Sequence, residues 1–298
     1  MKRLIVSVIA VFLTGIAGVI ISCDKVDAPY MHVADISECP VPTFPDFPAP
    51  AKTLLIEEFT GHKCIYCPTG AYYIDQIKHS ADSDRVIVLA IHASILANPE
   101  ATGHYTLDLR PGGHGDDLLA EFPISGEPAA MFNREKVDGT NITYGAPDTW
   151  PAKATWALAK SPVLSMQMIN NYDASTRKLC THIKTKFLTA NSQNLRIAVW
   201  ISEDSIVGYQ LNQNSSVGPT PEIPNYVFND VMRDEFVGTN GELFTSGSVA
   251  QDSAVIRTYS MKLNDAWVDK HCKVVAYVYV YDPVNKEILQ AVEKKVIE

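Results

Sequence analysis

Two cysteines three positions apart, Cys64 and Cys67, carry the most chemistry in this 298-residue chain. A C-x-x-C pair can close into a disulfide and reopen. One thiolate attacks a partner's disulfide sulfur, and the second thiol, about one helical turn away, attacks the mixed disulfide and releases the partner. Where such a pair begins a helix, unpaired backbone N–H groups and the helix dipole favour the thiolate of the first cysteine. Cys64 is therefore the candidate nucleophile and Cys67 the candidate resolving thiol. The same spacing also fits half of a zinc site or a structural disulfide. A closed zinc site needs a second set of ligands. No second C-x-x-C exists and His62 has no His partner at i+3 or i+4, so no metal is assigned. No cofactor is implied, and the structural disulfide stays open as a reading.

The elements that must position the pair follow from periodicity. Thr53 to Phe59 reads as a buried strand, and Thr60-Gly61-His62-Lys63 as a turn. The helical pattern runs from Cys64 to about Ser80, and Arg85 to Ile91 is a second buried strand. An insertion over 93–122, rich in Gly and Pro, ends in a short helical stretch, Asp116 to Glu121. Gly126-Glu127-Pro128 turns into a third strand, Ala129 to Asn133, and Asp148 to Lys160 closes the unit as a helix. Alternating strands and helices predict an α/β domain over 52–160. Beyond Ser161 the character changes. Val163–Met168, Leu179–Phe187, Leu195–Ile201, Ile256–Leu263 and Val274–Tyr281 alternate or run apolar, with Val275, Tyr277, Tyr279 and Tyr281 in a period-two stripe. This predicts an all-β, sandwich-like domain over 161–298. The Asn/Gln/Ser/Gly/Pro stretch 211–224 reads as a loop.

The N-terminus reads as an export signal. Lys2 and Arg3 precede an uncharged apolar run, Leu4 to Ile21, and then Ser22-Cys23. Ile20-Ile21-Ser22-Cys23 resembles a bacterial lipobox, which implies cleavage after residue 22 and a lipid on Cys23 holding the protein to a membrane. Residues 23–51, with Pro40, Pro42, Pro45, Pro48 and Pro50, read as an extended tether. Loss of the two basic leader residues takes the net charge from −9 to −11. No Lys/Arg run follows, which argues against nucleic-acid binding. Export favours disulfides. With Cys23 lipidated and Cys64 paired to Cys67, Cys39, Cys180 and Cys272 remain, an odd number. The expected pairing brings Cys180, in a predicted strand, to Cys272, at the start of another, and leaves Cys39 on the tether.

A strand, a C-x-x-C, a helix and a later X-Pro before a strand together resemble the thioredoxin fold. That resemblance implies that Pro128 faces the pair as a cis proline. It also implies that Glu58, six residues before Cys64, is a buried acid that helps proton transfer at Cys67. More specifically, Glu57-Glu58-Phe59-Thr60-Gly61 and Cys64-Ile65-Tyr66-Cys67-Pro68-x-Gly70 resemble the Omp-twenty-eight-related outer-membrane lipoprotein family of Bacteroidetes. So do Asp108-Leu109-Arg110, Gly126-Glu127-Pro128 with Asn133-Arg134, and Ile288-Leu289-Gln290-Ala291. The family implies a thioredoxin-like domain, a β-rich domain and an outer-membrane address, and no established reaction. Glu127, the residue before the proline, is a charged departure from general thioredoxins.

The expectation is a membrane-tethered thiol–disulfide oxidoreductase acting on thiols or disulfides of exported proteins. Its rival is a surface binding or adhesion lipoprotein that keeps the thioredoxin-like scaffold without catalysis. An oxidoreductase needs Cys64 exposed and its disulfide reducible, whereas a scaffold shows a buried pair resistant to dithiothreitol. The leader generates its own test: Cys23→Ala should release the protein from membranes or leave it unprocessed on fractionation. Unchanged processing and membrane association would refute the lipobox.

Overall fold

The computed structural model describes residues 38–298, so Cys23 and the leader lie outside the described residues. Strands β1 (Leu54–Thr60), β2 (Val86–His92) and β3 (Ala129–Phe132) come first in the chain, with helices α1 (Cys67–Lys78), α2 (His114–Glu121) and α3 (Trp150–Leu158) between and after them. Ten further strands follow: β4 (Leu164–Asp173), β5 (Lys178–Phe187), β6 (Leu195–Glu203), β7 (Ile206–Leu211), β8 (Glu222–Phe228), β9 (Val231–Glu235), β10 (Glu242–Thr245), β11 (Ala254–Lys262), β12 (Cys272–Val280) and β13 (Ile288–Lys295). No described helix is long and apolar enough to cross a membrane.

A mixed eight-stranded sheet organises the molecule, in the order β13-β12-β6-β9-β2-β1-β3, with β10 on β6. It runs across the boundary expected at residue 160, because β2 pairs in parallel with β9 at Ala90–Val231, and Asp230 O accepts the Ala90 N–H at 2.8 Å. The two sequence segments thus share one sheet rather than one sheet each. Separate sheets, β11-β5-β4 and β7-β8, stand off it.

The long apolar runs in the sequence follow from burial on both faces of this sheet. On β12, Val275, Tyr277 and Tyr279 join one core with Leu55, Phe59, Leu89, Trp200 and the α2 residue Leu118. The alternate residues Val274, Ala276 and Val278 join another, with Ile197 and Val199 of β6 and Leu179, Ile183 and Tyr259 of the three-stranded sheet. On that second face of β1 and β2, α1 and α3 supply the cover: Ile74, Ile77, Trp150 and Ala154 pack on Leu54, Ile56 and Val88.

Three sequence expectations are corrected. Helix α1 begins at Cys67 rather than Cys64, because Cys64 N–H and Thr69 N–H make turn bonds to Gly61 O and Tyr66 O. The bonded partner of Cys180 is Cys39, not Cys272, with Cα atoms 5.7 Å apart. Cys272 is a free, buried thiol on β12, pushed up to about 12 by burial and by Glu203. The Pro-rich stretch explains the pairing. It is extended but lies on the three-stranded sheet, where Asp46 O accepts Gln167 Nε2–H at 2.9 Å and Lys184 stands over the rings of Phe44 and Phe47.

Consecutive residues on β1 point to opposite faces, so Glu57 and Glu58 meet different fates. Glu57 is 1% exposed and receives Arg134, 3% exposed, through Nε–Oε2 and Nη2–Oε1 contacts of 2.7 and 2.6 Å. Arg134 Nη2 also donates to the Tyr277 hydroxyl at 2.8 Å, and the guanidinium faces the rings of Phe122, Tyr277 and Tyr279. Asn133 and Arg134 adopt positive φ (50° and 54°). This turns the chain so that Asn133 O accepts Ile288 N–H while its Oδ1 accepts Leu55 N–H. Arg134→Met should lower stability by about 3–5 kcal/mol in urea unfolding, because it strands a buried carboxylate. Combining it with Glu57→Leu should recover most of the loss.

Candidate functional site

Cys64 and Cys67 form a disulfide with Cα atoms 5.4 Å apart, between the end of β1 and the start of α1. Pro68 in the first turn suits a helix start, where its missing N–H is not needed. Cys67 opens α1 and Cys64 precedes it by three residues, so Cys67 is the nearer of the two to the helix dipole. Both cysteines are 3% exposed, whereas Ile65 and Tyr66 between them are exposed.

The other expected residues converge here. The Glu127–Pro128 bond is cis. A carboxylate oxygen of Glu127 and the two sulfurs lie within 4.8 Å of one another. This set could hold a thiophilic cation only with the disulfide open. Ser94, itself at positive φ (62°), donates its hydroxyl to Glu127 Oε1 at 2.6 Å. Burial raises Glu127 above the ordinary carboxylate range, against the lowering effect of that Ser94 bond.

Glu58 comes from the far side. It sits on β1 between Ala90 of β2 and Ala130 of β3, two small neighbours. A Cβ on residue 70 would fall 2.7 Å from Glu58 Oε1 and 3.0 Å from Pro128 Cβ, so glycine there lets α1 close onto both. Glu58 Oε1 is buried without a hydrogen-bond partner. Burial, then Asp230 and Glu127, push this carboxyl up to about 8. A cavity of about 310 Å³ is lined by Glu58, Cys67, His92, Gln210, Tyr226 and Asp230, among others. His92 Nδ1 is also unpartnered, and burial drives that imidazole down to about 3, so it is neutral. At the cavity edge, burial alone would raise Asp230, but Lys273 and Lys78 hold it below the usual range through contacts of 2.6 and 2.7 Å.

Sequence reasoning missed a second group of residues. The stretch read as a free loop from 211 lies over the cysteines: Leu211 N–H donates to His62 O and Gln213 N–H to Ile65 O, both at 2.9 Å. Gln210 Nε2 donates to Cys64 O at 2.9 Å. Polar, Gly/Pro-containing composition carries no signal for such a contact. The expected Cys180–Cys272 site does not form, and neither residue lies among those lining the cavity.

Comparison with known proteins bears on the later part of the chain by sequence and on most of it by structure. The family model described as outer membrane protein Omp28 matches residues 116–298, a span that leaves out Cys64 and Cys67. HBP35 of Porphyromonas gingivalis is similar in structure, with a TM-score of 0.63 at 18% identity over 83% of this chain and 76% of that one. A domain of the outer membrane lipoprotein Omp28 from Porphyromonas gingivalis gives a TM-score of 0.30 at 16% identity, over 45% of this chain and 88% of that one. No curated protein matches the sequence.

Glu58 sets a pH dependence. Its folded value lies above the ordinary 4.5, so between about 4.5 and 8 the folded state holds a proton that the unfolded state has lost, and stability falls as pH rises. Glu58→Gln removes that penalty. In urea unfolding the variant should gain about 4–5 kcal/mol over wild type between pH 4 and pH 9. A pH-independent difference would place Glu58 outside this account.

Proposed function

The chain belongs to the Omp28 outer membrane protein family, and from that premise we propose that it is a lipid-anchored thiol–disulfide exchange protein acting on exported proteins at the outer membrane. Cys23 carries the lipid. Residues 52–160 supply a thioredoxin-like unit, and the β-rich, sandwich-like remainder holds that unit and covers its active face. One observation carries the reading: Glu58, a buried carboxyl with an unpartnered Oε1 and a pKa of about 8, lines the same cavity as Cys67.

In the reduced protein Cys64, beside the exposed Ile65 and Tyr66, attacks a partner disulfide. A Cys64–partner S–S bond forms, and the partner's S–S bond breaks to expel one thiolate. Cys67 faces the inner cavity and gives its proton to Glu58 in the fraction of molecules whose carboxyl is ionised, since a group of pKa about 8 is mostly protonated at pH 7. A carboxylate of pKa about 8 is nearly matched to a thiol of about 8.5, so the transfer is close to balanced. The Cys67 thiolate then attacks Cys64 Sγ, restores the intramolecular disulfide and releases the partner's second thiol. The partner has gained two electrons, and a dithiol donor must reduce the pair for another turn.

A second reading has its own observation. Both cysteines are 3% exposed, as expected of a binding scaffold in which the pair is structural. Trapping separates the two. Cys67→Ser should accumulate mixed disulfides with envelope proteins on non-reducing gels, and Cys64→Ser far fewer. If the two variants behave alike and neither captures a partner, the scaffold reading takes over.

A further inference from the structure

What closes the cysteines off is a part of the chain remote in sequence. Between β6 and β9, which pair directly in the large sheet, the chain leaves as an arm made of β7, a tip over 212–221, and β8. Both roots of the arm turn through positive φ, Ser205 (62°) and Asp230 (56°). Each is pinned across the root: Ser205 N–H to Asn229 Oδ1 at 3.0 Å, and Asp230 N–H to Asp204 Oδ1 at 2.7 Å. At its far end the arm behaves as a strand with two neighbours. Leu211 and Gln213, two residues apart, donate to His62 O and Ile65 O, while Asn212 N–H between them donates to Pro221 O within the arm. Gln210 Nε2 reaches Cys64 O and Gly61 O at 2.9 and 3.3 Å, and Asn214 Nδ2 reaches Thr69 Oγ1 at 3.1 Å. Asn212 shapes the tip: its Nδ2 donates to Asn214 O, Gly218 O and Pro219 O, each at 3.0 Å.

These contacts leave the cysteine loop satisfied without a partner. If the tip lifted, the carbonyls of His62 and Ile65 beside the disulfide would need new donors, while Cys64 O would keep only the 3.4 Å Cys67 N–H bond. An extended polypeptide presents N–H groups at two-residue intervals on one edge, as Leu211 and Gln213 do. A small thiol does not supply that pattern.

We propose that residues 210–214 are a built-in strap occupying the polypeptide-binding edge beside Cys64, and that disulfide exchange proceeds when an extended partner segment takes the strap's place. The inference rests on the reading of Cys64–Cys67 as an exchange centre, and it names both the regulation of that centre and its substrate class. The strap accounts for a buried pair in a chain that otherwise assembles exchange chemistry around it. Tip release is local, because the arm's outer side stays held by Glu222, which accepts from the Tyr105 hydroxyl at 2.7 Å and contacts His104 Nδ1 at 3.0 Å.

The test uses the full oxidised chain, which carries an internal control in Cys39–Cys180. Dithiothreitol reduction of each disulfide is followed by alkylation and peptide mass, and amide exchange at Leu211 and Gln213 reports strap release. Asn212→Ala should free those two amides and speed Cys64–Cys67 reduction by about tenfold or more, with Cys39–Cys180 within about twofold of wild type. Gln210→Ala, which keeps the Asn212 bonds of the tip but loses the Gln210 Nε2 bond to Leu211 O, should act in the same direction and serves if Asn212→Ala does not fold. Freed amides with an unchanged Cys64–Cys67 rate would overturn the strap, as would equal acceleration of both disulfides. In a second arm, the Cys67→Ser protein with and without Asn212→Ala meets an unstructured cysteine peptide carried as its thionitrobenzoate disulfide. Attack by Cys64 forms the Cys64–peptide bond and releases coloured thionitrobenzoate, faster in the strap variant. Faster reduction without peptide capture would keep the strap as a cover and sink the exchange reading instead.

Discussion

A carboxylate and a guanidinium taken almost completely out of water must find each other, and in this chain their meeting joins two distant stretches of sequence. Glu57 comes from β1, Arg134 follows β3, and the tyrosine that shares the guanidinium lies on β12. The sheet itself is thinly joined at this level, since β2 and β9 share the Ala90–Val231 pairing alone. The ion pair, the Asn133 bonds to Leu55 and Ile288, and the Lys52 bonds to Ile288 O and Leu289 O brace that narrow seam. Buried ion pairs are weak as net stabilisers but severe when half-removed. This one ties β1 and the turn after β3 to Tyr277 on β12.

The neighbouring carboxyl shows the opposite solution. Glu58 faces the helix side of the same strand, finds no cation, and remains protonated up to about pH 8. A one-residue step along a strand thus separates a structural charge from a proton store beside Cys67. Desolvation does the work in both cases. What differs is whether the opposing face offers a guanidinium or a helix whose glycine at position 70 admits nothing larger than hydrogen.

The cysteine pair, the strands around it and the closing helix could be read from periodicity and turn residues, and Pro128 and Glu58 from the thioredoxin-like resemblance. These features are local: Leu54-Leu55-Ile56, Cys64-x-x-Cys67 and Gly126-Glu127-Pro128 each announce themselves within a few residues. What could not be read depends on pairing at long range. The Tyr277–Tyr279 stripe gave a strand but not its neighbours, so a separate β-domain was expected where one sheet crosses residue 160. Three cysteines with one bond to make left the choice to tertiary geometry, and the prolines that suggested a free tether instead laid Cys39 against β5. The strap was least legible of all, since Gln210 and Asn212 look like loop residues until their donors are seen to meet backbone carbonyls.

The Cys39–Cys180 bond also fixes how the protein would carry a mechanical load. With Cys23 as the anchored residue of the proposal, its sixteen positions to Cys39 allow a span of about 55 Å at most between anchor and bond. A pull transmitted from the membrane through that segment reaches Cys39 and passes through sulfur directly into β5, the middle strand of its sheet. Residues 40–179, with β1, the Cys64–Cys67 loop and α1, lie inside the covalent loop and off the line of tension. Tugging on the anchor would therefore strain the three-stranded sheet while leaving the Cys64–Cys67 loop slack.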